Sequence, residues 1–187
     1  CFVLSTAVFV RRGSAAIQAA AEPPGVALTS GYETESIFAL WRAVHGQPVY
    51  ADTTRIPYAS AYFNWFFYAG YSVPVGVAVR LGGDAAIIPL AGRLTTAAGS
   101  LAGAAALFWL LRRVLAGQNL IAAALATFVF FGPLVGWWSH TLRPDVWALT
   151  FETGAVLVLL LGHRSHPLRS ALLAGLLFYA AWSCKQT

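Results

Sequence analysis

IPYASAYFNWFFYAGYSVPVGVAV, residues 56–79, decides how this chain is threaded. It runs 24 residues without a charge, which by hydropathy alone is long enough for a helix to cross a hydrocarbon core of roughly 30 Å. Its composition argues otherwise. Between Tyr58 and Ser72, 8 of 15 residues are aromatic: Tyr58, Tyr62, Phe63, Trp65, Phe66, Phe67, Tyr68 and Tyr71. Tyr and Trp gather where bilayer meets water, because the ring is apolar and the tip polar. Asn64 and Pro74 further interrupt a regular span. We read 56–79 as a juxtamembrane helix or a shallow re-entrant segment rather than a crossing.

The threading downstream follows from that choice. Charge-free windows predict spans at 94–111, 119–140, 146–162 (with Glu152 inside) and 170–184, and make 1–10 the tail of an earlier span. Residues 11–93 then form one outer loop, and Thr141–Asp145 returns to the same face. The opposite face carries Arg112, Arg113, Arg164 and Arg169 with no acid, so the positive-inside rule makes it cytoplasmic. Arg11 and Arg12 run against this assignment. Were 56–79 to cross, Glu33 and Asp145 would lie on opposite sides.

Composition supports a chain that lives in a bilayer. Of 187 residues, 58% are hydrophobic and 10% charged, against about 25% charged in an average soluble domain; mean hydropathy is +0.66. An ordinary cytosolic domain, a disordered tail and a nucleic-acid binder are all excluded. The excess of 12 basic over 7 acidic residues contains no basic run longer than two, so it leaves no nucleic-acid footprint. Cys1 and Cys184 form neither a disulfide framework nor a zinc spacing. The sequence has no Met and opens inside an apolar run, as expected of an internal piece of a longer protein. The expected fold is all-α: a polytopic helical membrane protein with an amphipathic juxtamembrane helix in its first outer loop.

That helix is predicted over Glu33–Val44. Ile37, Phe38, Leu40, Trp41 and Val44 repeat at helical spacing, and Gly46 follows as a stop. It is expected to lie in the interface plane with its glutamates at the N-terminal end.

Soluble-enzyme motifs such as GxGxxG, the P-loop, HExxH and GxSxG are missing. Charges at membrane boundaries are what remain. Glu33 and Glu35, in GYETES, serve as a general base, or together as ligands of a divalent cation, Mg or Mn, or else as first-turn acids favoured by the helix dipole. Asp145 and Arg143, in TLRPDVW, offer a second acid and an anion binder, or a local pair at the start of a span. Arg93, Arg80 and Lys185 are anion binders or snorkelling ends of spans. Glu152 is expected to be buried against another helix. His140, beside Trp137 and Trp138, reads as part of an interfacial belt. Gly99 and Gly103 form a GxxxG that predicts close helix packing.

The order of these segments resembles the multi-spanning GT-C class of glycosyltransferases, which includes protein O-mannosyltransferases and the lipid A aminoarabinose transferase. The resemblance rests on GYETESIFALWRAVHGQPVY, on PYASAYFNWFFYAGYSVPVG, on GRLTTAAGSLAGAAALFWLLRR, on the boundary RPD and on the closing CKQT. It implies that Glu33 takes the place of the family's first-loop base, with Glu35 as the other acid of the E-x-E, and that Asp145 falls on the second acidic position. It implies a polyprenyl-phosphate-linked sugar donor, bound at its phosphate by Arg93, Arg143 and Lys185, and a glycan, lipid or protein acceptor. The reaction implied is inverting transfer outside the cytoplasm of a bacterial inner membrane, with this piece alone inactive. A transporter or a non-catalytic membrane subunit is the alternative. A transporter would require broken helices paired across an inverted repeat, and the sequence contains no such pair.

Overall fold

The computed structural model describes residues 1–21, 32–50, 52, 54, 61–82 and 85–185. Ile56–Ser60, the opening of the aromatic segment, lies outside them. Among the described residues the chain is all helical. The helices are α1 (Phe2–Ala21), α2 (Tyr32–Val44), α3 (Trp65–Gly82), α4 (Ile88–Val114), α5 (Asn119–Phe131), α6 (Asp145–Gly162) and α7 (Pro167–Cys184). Single 3-10 turns, Ala85–Ile87 and Gly136–Ser139, precede α4 and α6.

Side-chain contacts fix how the helices run. α4 and α6 lie parallel: the Trp147 indole donates to the Thr95 carbonyl at 3.3 Å, and one turn on Thr150 donates to the Gly99 carbonyl at 3.0 Å. Small residues on α4 permit this approach. A Cβ on Gly99 would fall 2.8 Å from the Trp147 ring, and one on Gly103 would fall 2.2 Å from Phe130. The GxxxG thus packs as expected, and its two glycines serve different neighbours. α5 and α7 run back alongside, and α1 runs antiparallel to α4, with Ala16 near Arg93. One end of the bundle therefore gathers the end of α1, the start of α4, the end of α5, the start of α6 and the end of α7.

α2 and α3 cover that end. The Asn64 amide donates to the Trp182 carbonyl at 3.4 Å, just before α7 stops, while Gly82 abuts Ile87, just before α4 starts. Both ends of α3 thus meet the same end of the bundle, and its middle packs Phe67, Tyr71 and Val75 with Leu40, Ile88 and Leu142 into a core. α2 stops at Gly46, whose φ of 69° only glycine adopts freely.

Several expected boundaries need correction. α1 continues through Arg11 and Arg12 to Ala21, because the Arg12 side chain finds a partner, donating to the Gly132 carbonyl at 3.2 Å and reaching over the Trp137 ring. The helix therefore does not end at residue 10. α4 starts at Ile88, so Arg93 lies inside the helix instead of ahead of it. The span expected at 119–140 is helical only to Phe131, since Pro133 offers no amide and disfavours helical backbone at Gly132. Pro144 caps the start of α6. Among the described residues, two helices are long and apolar enough to cross a membrane, Ala85–Val114 and Asp145–Gly162.

Candidate functional site

Two ion-paired clusters occupy the end of the bundle where α4 and α6 begin. The first is sealed. α2 turns Glu33 inward, where it is 0% exposed, against Arg93, which is 2% exposed. Arg93 Nε donates to Glu33 Oε1 at 3.1 Å, and the Leu142 amide donates to the same oxygen at 3.3 Å. Arg93 Nη1 reaches the Ala16 carbonyl at 2.9 Å. One ion pair thereby ties together α1, α2, α4 and the segment ahead of α6. Hydroxyls extend it. Thr96 donates to the Thr141 carbonyl at 2.9 Å and accepts from the Tyr71 phenol at 2.6 Å, and Ser100 donates to the Ser139 carbonyl at 3.1 Å.

The second cluster is open. Asp145, in the first turn of α6 where the helix dipole favours an acid, receives Arg143 Nε on Oδ2 at 3.1 Å and Lys185 Nζ on Oδ1. The Arg143 guanidinium packs over the Trp138 ring at 4.7 Å and the Tyr32 ring at 5.3 Å, and the Lys185 ammonium lies 6.0 Å from Trp138. Rings of this kind hold a cation through their negative faces while leaving its donors free to bond outward. Asp145 and Lys185 edge a cleft of about 260 Å3 between α6 and α7, whose walls include Glu152, Phe178 and Trp182.

The fold therefore brings Glu33, Arg93, Arg143, Asp145 and Lys185 to one end of the molecule. It separates them by access. Glu33 and Arg93, expected as base and phosphate binder, hold each other in the interior. The α2 helix does not simply float its charges at an interface, because Arg42 is buried along with Glu33. Glu35 is half-buried and faces α3, where burial pushes the Tyr68 phenol up to about 12 and the Glu35 charge adds a smaller push. Arg80, exposed in the last turn of α3, belongs to neither ion pair. Glu152 was expected to be buried and is exposed.

A divalent-cation site built on Glu33 and Asp145 does not fit this arrangement. Each carboxylate already faces basic side chains, which supply the positive charge a metal would bring. No group of three or more metal-ligating side chains occurs among the described residues.

His140 does more than mark an interface. It is 3% exposed, and its Nε2 donates to the Phe9 carbonyl at 2.9 Å while its ring packs against the Phe9 ring. Burial holds its pKa below the usual histidine value, and the neighbouring Arg12 charge adds to the effect.

Comparison with known proteins returns nothing. No family model, curated protein or solved structure matches this chain. Sequence reading missed Tyr32 and Trp138 as cation-holding rings and missed the Thr96 hydroxyl. For Trp138 a signal existed in its place two turns ahead of Asp145 on a loop already rich in rings. For Thr96 the only signal was a hydroxyl one turn after Arg93.

Proposed function

We propose that this protein is a polytopic membrane glycosyltransferase that moves a sugar from a polyprenyl-phosphate-linked donor to an acceptor hydroxyl, with inversion. The observation that carries the reading is the convergence of Arg143 and Lys185 on Asp145 at the mouth of the α6–α7 cleft. Two bases beside one acid suit a reaction in which phosphate leaves while a hydroxyl loses its proton. The acceptor oxygen bonds to the anomeric carbon, the bond from that carbon to the phosphate oxygen breaks, and the lipid phosphate departs with the electron pair. Arg143 and Lys185 meet the charge that develops on it, in surroundings of low dielectric where such contacts count most. Asp145 takes the acceptor proton. Glu33, held by Arg93, fixes the Thr141–Leu142 peptide just ahead of Arg143.

In this reading the bundle sits in a bacterial inner membrane with the Asp145 end outside. Arg112, Arg113, Arg164 and Arg169 at the other end, in short connections without acids, support that orientation. The decisive experiment is sugar transfer in native membranes by the protein and its Asp145→Asn variant. Loss of transfer with unchanged membrane level is expected. An unchanged glycan product from D145N would overturn the reading.

A further inference from the structure

Glu152 lies two turns along α6 from Asp145, about 10 Å further from the end of the bundle at 1.5 Å per residue. It is exposed, and among the described residues it has no hydrogen-bond or ionic partner. A carboxylate standing alone in an otherwise apolar helix costs stability unless something answers it. Part of its surface lines the α6–α7 cleft together with Phe178 and Trp182, with Asp145 and Lys185 at the mouth.

The charges say what kind of ligand fits. Asp145 is matched by Lys185 and Arg143, so with Glu152 the four groups sum to zero. That balance favours a neutral ligand with several donors over an ion. The walls are mixed, with carboxylate acceptors on α6 and aromatic faces on α7. A ligand with hydroxyls on its edge and C–H groups on its face satisfies both at once. At about 260 Å3 the cleft falls below the roughly 300–1,000 Å3 of sites for drug-sized ligands, which suits one ring and not a chain.

We propose that the Glu152–Trp182 cleft is the subsite for the transferred sugar ring. Glu152 accepts hydrogen bonds from its hydroxyls, Trp182 and Phe178 stack on its apolar face, and the anomeric carbon is left toward Asp145 and Lys185. The inference rests on the glycosyltransferase reading and goes beyond it by naming the residues that select the sugar.

Two probes separate the subsite from the reading beneath it. Methyl glycosides of mannose, glucose and arabinose report on the cleft, and sugar-free undecaprenyl phosphate reports on Arg143 and Lys185. Binding of each to the protein in nanodiscs is followed by saturation-transfer NMR. One glycoside is expected to give a signal, Glu152→Gln to weaken it about tenfold, the scale of one hydrogen bond to a charged group, and Trp182→Leu to weaken it by removing the stacking face. Undecaprenyl phosphate binding should be unchanged in both variants. Lipid phosphate binding without any glycoside signal, or a glycoside signal indifferent to both substitutions, would overturn the subsite while leaving the reading of function intact. Failure of the wild-type protein to bind either probe would overturn both.

Discussion

Arg93 Nε and Glu33 Oε1 lie 3.1 Å apart with their side chains 2% and 0% exposed, joining two helices whose residues are sixty positions apart in the chain. Such a pair adds little over apolar packing, but removing one partner strands the other as a buried charge. Glu33→Gln or Arg93→Met alone should cost about 3–5 kcal/mol, and the double substitution E33L/R93M should cost less than either. Thermal melts of the purified variants in detergent check this. Single variants as stable as the parent would show that the pair carries no structural weight.

The α4 glycines make a graded prediction. A methyl on Gly103 meets Phe130 at 2.2 Å and Thr150 Oγ1 at 2.5 Å; one on Gly99 meets Trp147 at 2.8 Å; one on Gly175 meets nothing within 4 Å. Overpacking of this kind costs about 1–3 kcal/mol. The expected order of melting temperatures is G175A above G99A above G103A. Equal melting of G103A and G175A would contradict the α4–α5 packing.

His140 predicts a pH dependence on the acid side. Its pKa is depressed in the folded protein below 6.5, by burial first, so the unfolded chain takes up the proton earlier. Its contribution to stability is complete above 6.5 and is lost as pH falls from there through the lower folded value. Melting temperature should drop between pH 7.5 and 5.5, and His140→Gln, which keeps a donor for the Phe9 carbonyl, should flatten that drop. A parallel decline in both proteins would remove His140 as its source.

Arg143 and Lys185 are expected to differ in replaceability. Arg143 stacks on two rings and holds Asp145 through Nε, so Arg143→Lys keeps the charge and loses the planar shape. R143K should weaken undecaprenyl phosphate binding about tenfold, whereas Lys185→Arg should hold it within about threefold, in line with a stacked cation worth about 1 kcal/mol. Equal effects of the two swaps would argue against the Trp138 and Tyr32 platform.

Threading is tested directly by single cysteines in a chain whose Cys1 and Cys184 are changed to Ser. Tyr62 precedes α3 and Leu81 lies in its last turn, and both are exposed. Impermeant maleimide should label Tyr62→Cys and Leu81→Cys from the same side as Thr34→Cys, and Gly117→Cys from the other. Labelling of 62 and 81 from opposite sides would mean that α3 crosses, and would separate Glu33 from Asp145.

What was legible from sequence was local. The 3.6-residue period and Gly46 marked α2, and the charge-free run before Gly162 marked α6, because periodicity and helix breakers act within a few turns. The aromatic crowding of 58–72 argued by itself that this segment does not cross, since ring chemistry reports on depth without reference to partners, and the cysteine labelling tests that expectation. Boundaries went astray where a distant partner intervened. Arg11 and Arg12 ended a hydropathy window, yet the helix runs on because Gly132 and Trp137 receive Arg12.

The candidate residues divide in the same way. Sequence alone selected Glu33, Arg93, Arg143, Asp145 and Lys185 as unusual, because charge in so apolar a chain is unusual wherever it stands. Only the tertiary structure decided that Glu33 and Arg93 neutralise each other in the interior while Asp145 stays at an open cleft with Glu152. That outcome depends on how α2 docks on α4 and how α7 ends beside α6. Ion pairing acts over a few ångströms, and which charges come that close is set by the packing of whole helices, not by their order in the chain.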